Sequence, residues 1–190
     1  MGKVYTGLNQ ELSQFIAAQH LFFVATAPLG REGHVNLSPK GHDTFRVIDP
    51  KTVAYLDFTG SGIETVSHLR ENGRIVILFC AFEGPPKILR LHGRGEAILS
   101  ADPRFEELAN LFPSFSSFAG VRAAIRVSLE RISDSCGYGI PLYRYEGERT
   151  QLQDWARGKG PEGLARYRAE NNRVSIDGMA GLDGKDTLAG

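Results

Sequence analysis

The stretch VNLSPKGHDTFRVIDPKTVAYLDF, residues 35–58, decides the fold. It contains three short runs, each apolar or alternating between apolar and polar residues: Val35–Lys40, Thr44–Ile48 and Val53–Phe58. The triplets between them, Gly41-His42-Asp43 and Asp49-Pro50-Lys51, consist mainly of turn-forming residues. Short runs bounded in this way are typical of β-strands, and their even spacing predicts an antiparallel meander.

The patterns on either side add strands and helices to this meander. Further strands are predicted at Leu21–Ala27, Arg74–Phe82, Ile88–Ile98 and Ile125–Leu129. Helices are predicted over residues 9–19, 63–72, 103–112, 152–156 and 161–172, the last opened by Pro161. We therefore expect a mainly β fold, an antiparallel β-barrel of six or seven strands with flanking helices. It would form a single domain over residues 1–178 with a helical extension from about residue 140, and residues 179–190 would be a flexible tail.

Composition narrows the classes of partner. Lys plus Arg and Asp plus Glu number 22 each, so the overall charge favours neither nucleic acid nor an anionic membrane, and a small polar molecule fits better. The two cysteines form no disulfide framework, and the longest apolar run, Ile75–Phe82, is too short to span a bilayer. We expect a cytoplasmic protein with reduced thiols.

The most informative local feature is Asp57-Phe58-Thr59-Gly60-Ser61-Gly62, which links a strand directly to a helix. Glycines let backbone N–H groups turn toward a bound group, and the first amides of a helix lack partners within it. Thr59, Ser61 and Thr65 add hydroxyl donors, whereas the acidic Glu64 opposes a bound anion. The segment predicts an anion seat, with an ordinary N-cap and turn as the alternative.

A second feature is the strand Val35–Lys40. Because side chains alternate along a strand, Asn36, Ser38 and Lys40 lie on one face, and Val35, Leu37 and Pro39 lie on the other. Two hydrogen-bonding side chains and a cation could hold the polar edge of a planar ligand or a substrate anion. The alternative is the solvated face of an edge strand, which the proline would suit.

Other candidate residues have ordinary explanations beside the functional ones. Cys136 could be a nucleophile or part of a tight glycine turn, and Tyr138 could cover a planar ligand or pack at an interface. Trp155 could cap a pocket or anchor the C-terminal helix. The five histidines show no ligand pairing, so no metal site is predicted. Neither a Walker loop nor a dinucleotide-binding glycine pattern occurs.

The order of these segments resembles the pyridoxamine 5'-phosphate oxidase-like family. The resemblance covers about residues 9–132 and rests on Leu21–Thr26, Val35–Lys40, Leu56–Thr59, Leu69–Arg74, the strand Ile75–Phe79 and Leu91–Glu96. It implies a split barrel that forms a homodimer and binds flavin mononucleotide (FMN) in clefts between the two subunits. It also places the strand of Asn36, Leu37, Ser38 and Lys40 beside the flavin ring, and Phe58, Thr59 and the helix start with Ser61, Gly62 and Thr65 near the phosphate. Tyr138, the aromatic cover suggested above, completes the predicted set of cofactor-binding residues.

The sequence also departs from that family's pattern. Ile63-Glu64-Thr65 stands where the authentic oxidase has Ser-Arg-Lys, and the substrate-binding residues of the oxidase are matched only by Lys40. The resemblance therefore implies an FMN-dependent oxidoreductase acting on a different small substrate, with no catalytic residue assigned. The alternatives are a flavin- or haem-binding module without turnover and a deazaflavin-dependent reductase.

Overall fold

One antiparallel sheet of eight strands forms the centre of the protein in the computed structural model, which describes residues 2–115 and 118–183. The strands are β1 Val4–Tyr5, β2 Phe22–Thr26, β3 Asn36–Lys40, β4 Phe45–Asp49, β5 Thr52–Phe58, β6 Arg74–Cys80, β7 Ile88–Leu99 and β8 Val121–Ser135. They pair in the order β3-β2-β6-β7-β8-β5-β4, and β1 adds to β8. The predicted mainly β architecture with flanking helices is confirmed.

Two details of the strand prediction are wrong. The sheet has one strand more than expected, because β1 is too short to show a pattern of its own. The chain also does not form a simple meander, since β3 and β4 follow each other in sequence but lie at opposite ends of the pairing order. Among the described residues, no backbone hydrogen bonds join the two ends of the sheet. Side chains bridge the gap instead, where Lys40 of β3 meets Asp57 of β5 at 2.8 Å.

Strand β5 is buried on both faces and divides two hydrophobic cores. Val53 and Tyr55 belong to the main core, whereas Ala54 and Leu56 belong to a smaller one that also contains Phe112. Residues alternate between the faces of a strand, so a nearly continuous apolar run is what a strand between two cores requires. The end of β5 is thereby fixed, and the candidate site lies at that end.

The two longest strands, β7 and β8, pair along almost their whole length. The register shifts between His92 and Gly93, where a Cβ on Gly93 would lie 2.2 Å from the carbonyl oxygen of Ser128. Only glycine fits at this position, which accounts for one glycine of the His-Gly-Arg-Gly segment.

The helices occur close to the predicted positions: α1 at Gln10–Ala17, α2 at Glu64–Asn72, α3 at Phe105–Ala109 and α4 at Gln151–Asn171. The Asn9 side chain caps α1 by accepting the Leu12 N–H, and Gly73 ends α2 with a φ of 68°. Helix α4 is interrupted at Gly160, whose φ is 63° and ψ 175°, directly before Pro161. The two predicted C-terminal helices are therefore the two halves of α4.

The chain after α4 returns to α2. Arg70 donates a hydrogen bond to the carbonyl oxygen of Gly181, and Leu182 is buried in the main core. Residues 179–183 of the predicted flexible tail thus pack on the domain, and residues 184–190 lie outside the described residues. No helix in the described part of the chain is both long and apolar enough to cross a membrane.

Candidate functional site

A cavity of about 310 Å³ lies at the gap in the sheet, between β3, the end of β5 and the start of α2. It brings together most of the predicted site residues, namely Asn36, Ser38, Lys40, Phe58, Thr59, Gly62 and Thr65. The polar face of β3 lines the cavity and is not a simple solvated face. The first turn of α2 meets this strand because α2 follows β5 after only five residues.

Three predicted residues are not part of this cavity within one chain. Leu37 lies on the opposite face of β3 with 65% of its surface exposed, as the alternation of side chains requires. Ser61 is exposed, and its carbonyl oxygen accepts a hydrogen bond from Asn172. Tyr138 is 82% exposed. These residues could meet a ligand in the cavity only through their backbones or from a second copy of the chain.

Asp57 holds two cations beneath the cavity. Its buried carboxylate contacts the Lys40 Nζ at 2.8 Å and the Arg122 Nε at 2.7 Å. Burial by itself would raise the pKa of Asp57, but the charges and hydrogen bonds of Arg122 and Lys40 outweigh it and lower the pKa to about 2. Asp57 is therefore ionised at neutral pH and fixes Lys40 at the edge of the cavity.

Asn172, at the end of α4, fixes the glycine loop that leads into α2. Its buried side-chain amide donates to the carbonyl oxygens of Gly60 at 2.9 Å and Ser61 at 3.3 Å, while its own oxygen accepts from Arg122 at 3.0 Å. The loop carbonyls are thus engaged by the protein. The N-cap residue of α2, Ile63, makes no side-chain capping bond, so the opening of this helix has no cap of its own.

Thr59 and Thr65 are two buried hydroxyls that line the cavity. Thr59 Oγ1 accepts a hydrogen bond from the Arg168 Nε at 2.9 Å, and Thr65 Oγ1 accepts one from the Asn36 Nδ2 at 3.1 Å. A hydroxyl whose oxygen already accepts still has one hydrogen to donate. Both residues can therefore donate a hydrogen bond to a ligand in the cavity.

The side chain of Asn36 organises β3 at the cavity. Its amide nitrogen donates to Thr65 and, at 3.4 Å, to Thr26, while its oxygen accepts from the Ser38 hydroxyl at 3.2 Å. Thr26 in turn lies 2.9 Å from the Nδ1 of His68, a fully buried histidine whose pKa is lowered by burial. Through this uncharged network, the Ser38 oxygen can accept a hydrogen bond from a ligand in the cavity, and the Thr65 hydroxyl can donate one to it.

Charged side chains of both signs surround the cavity. Lys40, Arg122 and Arg168 lie in or directly behind its wall, against Asp57 and Glu64. Glu64 is tied to the C-terminal segment, since its carboxylate accepts the Ile176 N–H at 3.3 Å. A third carboxylate, that of Glu148, lies 3.2 Å from the cavity-lining His42, so the positive charge that suits an anion is found at the Thr59 end, near Arg122 and Arg168.

Sequence reasoning missed Arg122, Arg168 and Asn172. Arg122 had a weak signal, because it is a charged residue inside the otherwise apolar run Val121–Ile125. Arg168 and Asn172 follow the buried Leu164 at intervals of four and therefore share the inner face of α4. No sequence feature, however, indicates that this face packs against the loop after β5.

A larger groove of about 790 Å³ lies elsewhere, between β2 and the segment after β8. It is lined mainly by apolar and aromatic side chains such as Phe23, Phe82 and Tyr143, and Tyr145 stacks on His20 at 3.6 Å between ring centroids. Lys40, Arg122 and Arg168 do not line this groove. Trp155 lines neither space and packs edge-on against Tyr167 across the kink of α4.

The two cysteines and the histidines form no metal site in the part of the chain that the structure describes, since no three His, Cys, Asp or Glu side chains cluster there. Cys80 is buried and Cys136 is exposed, and both are free thiols.

A family model described as pyridoxamine 5'-phosphate oxidase matches residues 8–136, which is more than half of the chain. The chain belongs to the pyridoxamine 5'-phosphate oxidase family. A family relative, the pyridoxamine 5'-phosphate oxidase family protein ustO of Aspergillus flavus, is 38% identical over 94% of this chain and 77% of its own length. The resemblance read from the order of strand and helix segments is thus confirmed. Helix α4, with Arg168 and Asn172, lies beyond the residues that the family model matches.

Solved structures support the fold of this family member. HupZ from Group A Streptococcus has 26% sequence identity and a TM-score of 0.53, with 66% of this chain and 91% of HupZ covered. A Lactobacillus delbrueckii protein proposed to be a pyridoxamine 5'-phosphate oxidase shares 16% identity with a TM-score of 0.52, with 68% of this chain and 98% of that one covered. The family's split barrel is therefore the fold of this chain.

Proposed function

We propose that this protein is a cytoplasmic FMN-binding oxidoreductase whose complete site is formed by two copies of the chain. The observation that carries the proposal is the pair of hydroxyls, Thr59 and Thr65, oriented by Arg168 and Asn36 at the end of the cavity near Arg122. Membership of the pyridoxamine 5'-phosphate oxidase family supports the choice of a flavin, and the phosphate distinguishes FMN from riboflavin.

The residues present fit the phosphate of FMN. Ionised phosphate oxygens accept hydrogen bonds, so a site for them needs donors and positive charge, which the Thr59 and Thr65 hydroxyls and the nearby Arg122 and Arg168 supply. The uncapped start of α2 adds backbone N–H groups of favourable polarity. Glu64 opposes the phosphate, but its carboxylate is engaged by the backbone N–H of Ile176.

The polar face of β3 fits the edge of a flavin ring. Such an edge carries both donors and acceptors, and β3 offers the Ser38 oxygen as an acceptor and Lys40 as a cation with 21% of its side chain exposed. When bound, FMN would supply the transfer of a hydride to or from a small organic substrate. The role of the protein is then to bind, orient and exclude water, with Lys40 stabilising negative charge on the ring.

The proposal of a shared site rests on exposed apolar residues of a single chain. Tyr138, Leu142 and Tyr143, after β8, are each more than 60% exposed, and so are Val35 and Leu37 on the outer face of β3. Apolar side chains in this number are typical of surfaces that meet another protein. A second copy of the chain would cover them and would bring residues such as Tyr138 to the cavity of its partner.

A ligand screen of the purified protein tests the cofactor. We expect flavin absorbance in the purified or reconstituted protein and a rise in melting temperature with FMN, because a ligand that binds only the folded state stabilises it. A Soret band would indicate haem instead, and a thermal shift with deazaflavin alone would indicate a deazaflavin reductase. If FMN neither colours the protein nor shifts its melting temperature, the proposal fails.

Variants of the two hydroxyls test where the phosphate binds. Thr59→Val and Thr65→Val each remove one donor while keeping the shape of the side chain. A hydrogen bond to a charged group contributes about 1.5–3 kcal/mol, so each change should weaken FMN binding about 10- to 100-fold. Riboflavin binding should change little. Thr6→Val, at an exposed threonine outside the cavity, is the matched control.

A further inference from the structure

Arg168 is a buried cation without a counter-charge. Only 2% of its surface is exposed, and in residues 2–115 and 118–183 no carboxylate pairs with it. Its guanidinium donates to neutral acceptors: the Thr59 hydroxyl at 2.9 Å, the Ala119 carbonyl at 2.7 Å and the Val121 carbonyl at 3.2 Å. Helix α4 thus carries a positive charge to the back of the loop that follows β5.

Burying the unpaired charge of Arg168 lowers the stability of the folded protein when no ligand is bound. A charge taken out of water loses its hydration, and buried charges in proteins are normally paired. Burial and the neighbouring charge of Arg122 lower the pKa of Arg168 to about 10, so the group is still protonated at neutral pH. Asp57 already has two cationic partners, Lys40 and Arg122. Within residues 2–115 and 118–183, no carboxylate is therefore left to balance the charge of Arg168.

The contact with Thr59 shows how that charge reaches a ligand. The Arg168 Nε–H donates a hydrogen bond to the Thr59 oxygen. The hydroxyl hydrogen of Thr59 therefore cannot point toward the guanidinium. Thr59 itself lines the cavity, whereas Arg168 does not. The hydroxyl is thereby polarised by the cation and can donate into the cavity, an arrangement that strengthens a bond to an anion.

We propose that Arg168 is a positioning residue that makes the cavity selective for a phosphate monoester, by orienting the Thr59 hydroxyl and by supplying positive charge behind it. This inference rests on the proposed FMN site and deepens it. Arg168 would make the phosphorylated flavin, FMN, bind in preference to riboflavin. The contrasting possibility is a purely structural role, in which Arg168 only fastens α4 to the carbonyls of Ala119 and Val121.

The test compares the dissociation constants of FMN and riboflavin for the full-length protein and three variants. Arg168→Gln removes the charge, Arg168→Lys keeps it but loses the planar Nε–H donor, and Arg166→Gln removes an exposed charge from the same helix. We expect the ratio of the riboflavin to the FMN constant to fall at least about tenfold in Arg168→Gln and less in Arg168→Lys. It should not change in Arg166→Gln. A merely structural role would weaken both ligands alike and leave the ratio unchanged.

Each outcome separates this inference from the proposed function. If the wild-type protein binds neither flavin, the proposed function fails. If it binds both equally, or if Arg168→Gln folds and keeps the wild-type ratio, the flavin site survives and the role of Arg168 is wrong. Should Arg168→Gln not fold, Arg168→Lys and Thr59→Val decide: a ratio unchanged in either one overturns the inference, and a reduced ratio in both supports it.

Discussion

Asp57 links the fold to the site at the scale of a single residue. Its carboxylate joins β3 to β5 through Lys40, across the gap where the described strands lack backbone pairing, and it also binds Arg122 of the paired strand β8. Loss of one member of a buried ion pair leaves the remaining charges without compensation. Asp57 therefore stabilises the open side of the barrel and also holds Lys40 and Arg122 in place beside the cavity.

The depressed pKa of Asp57 predicts how stability depends on pH. Because its pKa is about 2 in the folded protein and 3.8 ordinarily, the unfolded chain takes up the proton first as the pH falls. The contribution of Asp57 is complete above about pH 4 and is lost as the pH falls toward 2. In urea unfolding at pH 6, we expect Asp57→Asn to lower the free energy of unfolding by about 3–5 kcal/mol.

The same series at lower pH supplies the control. As Asp57 becomes protonated in the wild-type protein, the difference from Asp57→Asn should shrink between pH 4 and pH 2. A difference that stays constant over that range would show that the pairing of charges is not what the substitution removes.

Individual residues of the site were predictable where they are close in sequence. Thr59 and Thr65 belong to one strand-to-helix connection, and Asn36, Ser38 and Lys40 belong to one strand, so alternation and turn chemistry suffice to group them. Arg168 was not predictable, because its contact with Thr59 joins residues 109 positions apart. Such a contact depends on how α4 packs, which helical periodicity does not specify.

At the scale of elements, helix α4 shows both the reach and the limit of pattern reasoning. Its two halves were predicted from spacing and from Pro161, and the break falls at Gly160. The separate partners of β3 and β4 in the sheet were not predictable in the same way. A strand pattern indicates which face is buried but not which strand is the neighbour. The neighbours of each strand depend on contacts between residues that are distant in sequence, such as those in the two cores on either side of β5.

Two glycines of α4 give opposite predictions for the same substitution. Gly160 has a φ of 63°, which a residue with a side chain adopts only at a cost, whereas Gly158 is exposed and lies inside the helix without positive φ. We expect Gly160→Ala to lower the free energy of unfolding by about 1 kcal/mol or more, and Gly158→Ala to raise it by up to about 1 kcal/mol.

Thermal or urea unfolding of both alanine variants checks this pair directly. Apart from its chain neighbours and the backbone of its own helix, an added Cβ at either position would have no described atom within 4 Å, so crowding does not affect the comparison. Equal effects at the two positions would mean that the break in α4 is not held by the backbone of Gly160.

At the scale of the whole molecule, the exposed residues after β8 predict self-association. Tyr138 and Leu142 are 82% and 75% exposed, and we expect them to be buried between two chains. Sedimentation velocity should show a dimer at micromolar concentration. Tyr138→Glu and Leu142→Glu together should shift it toward the monomer and weaken FMN binding in parallel, because the site is shared.

Arg144→Glu, an exposed charge in the same segment, is the control for a change of charge alone. A wild-type protein that is monomeric at all concentrations and still binds FMN at full affinity would remove the second chain from the site.

The most direct test of the central claim is a crystal structure of the protein grown with FMN. We predict that the phosphate oxygens lie within hydrogen-bond distance of Thr59 Oγ1 and Thr65 Oγ1, with the ring along the Ser38 and Lys40 face of β3. FMN bound in the apolar groove of Phe82 and Tyr143, or with its phosphate away from both threonines, would contradict the assignment of the site.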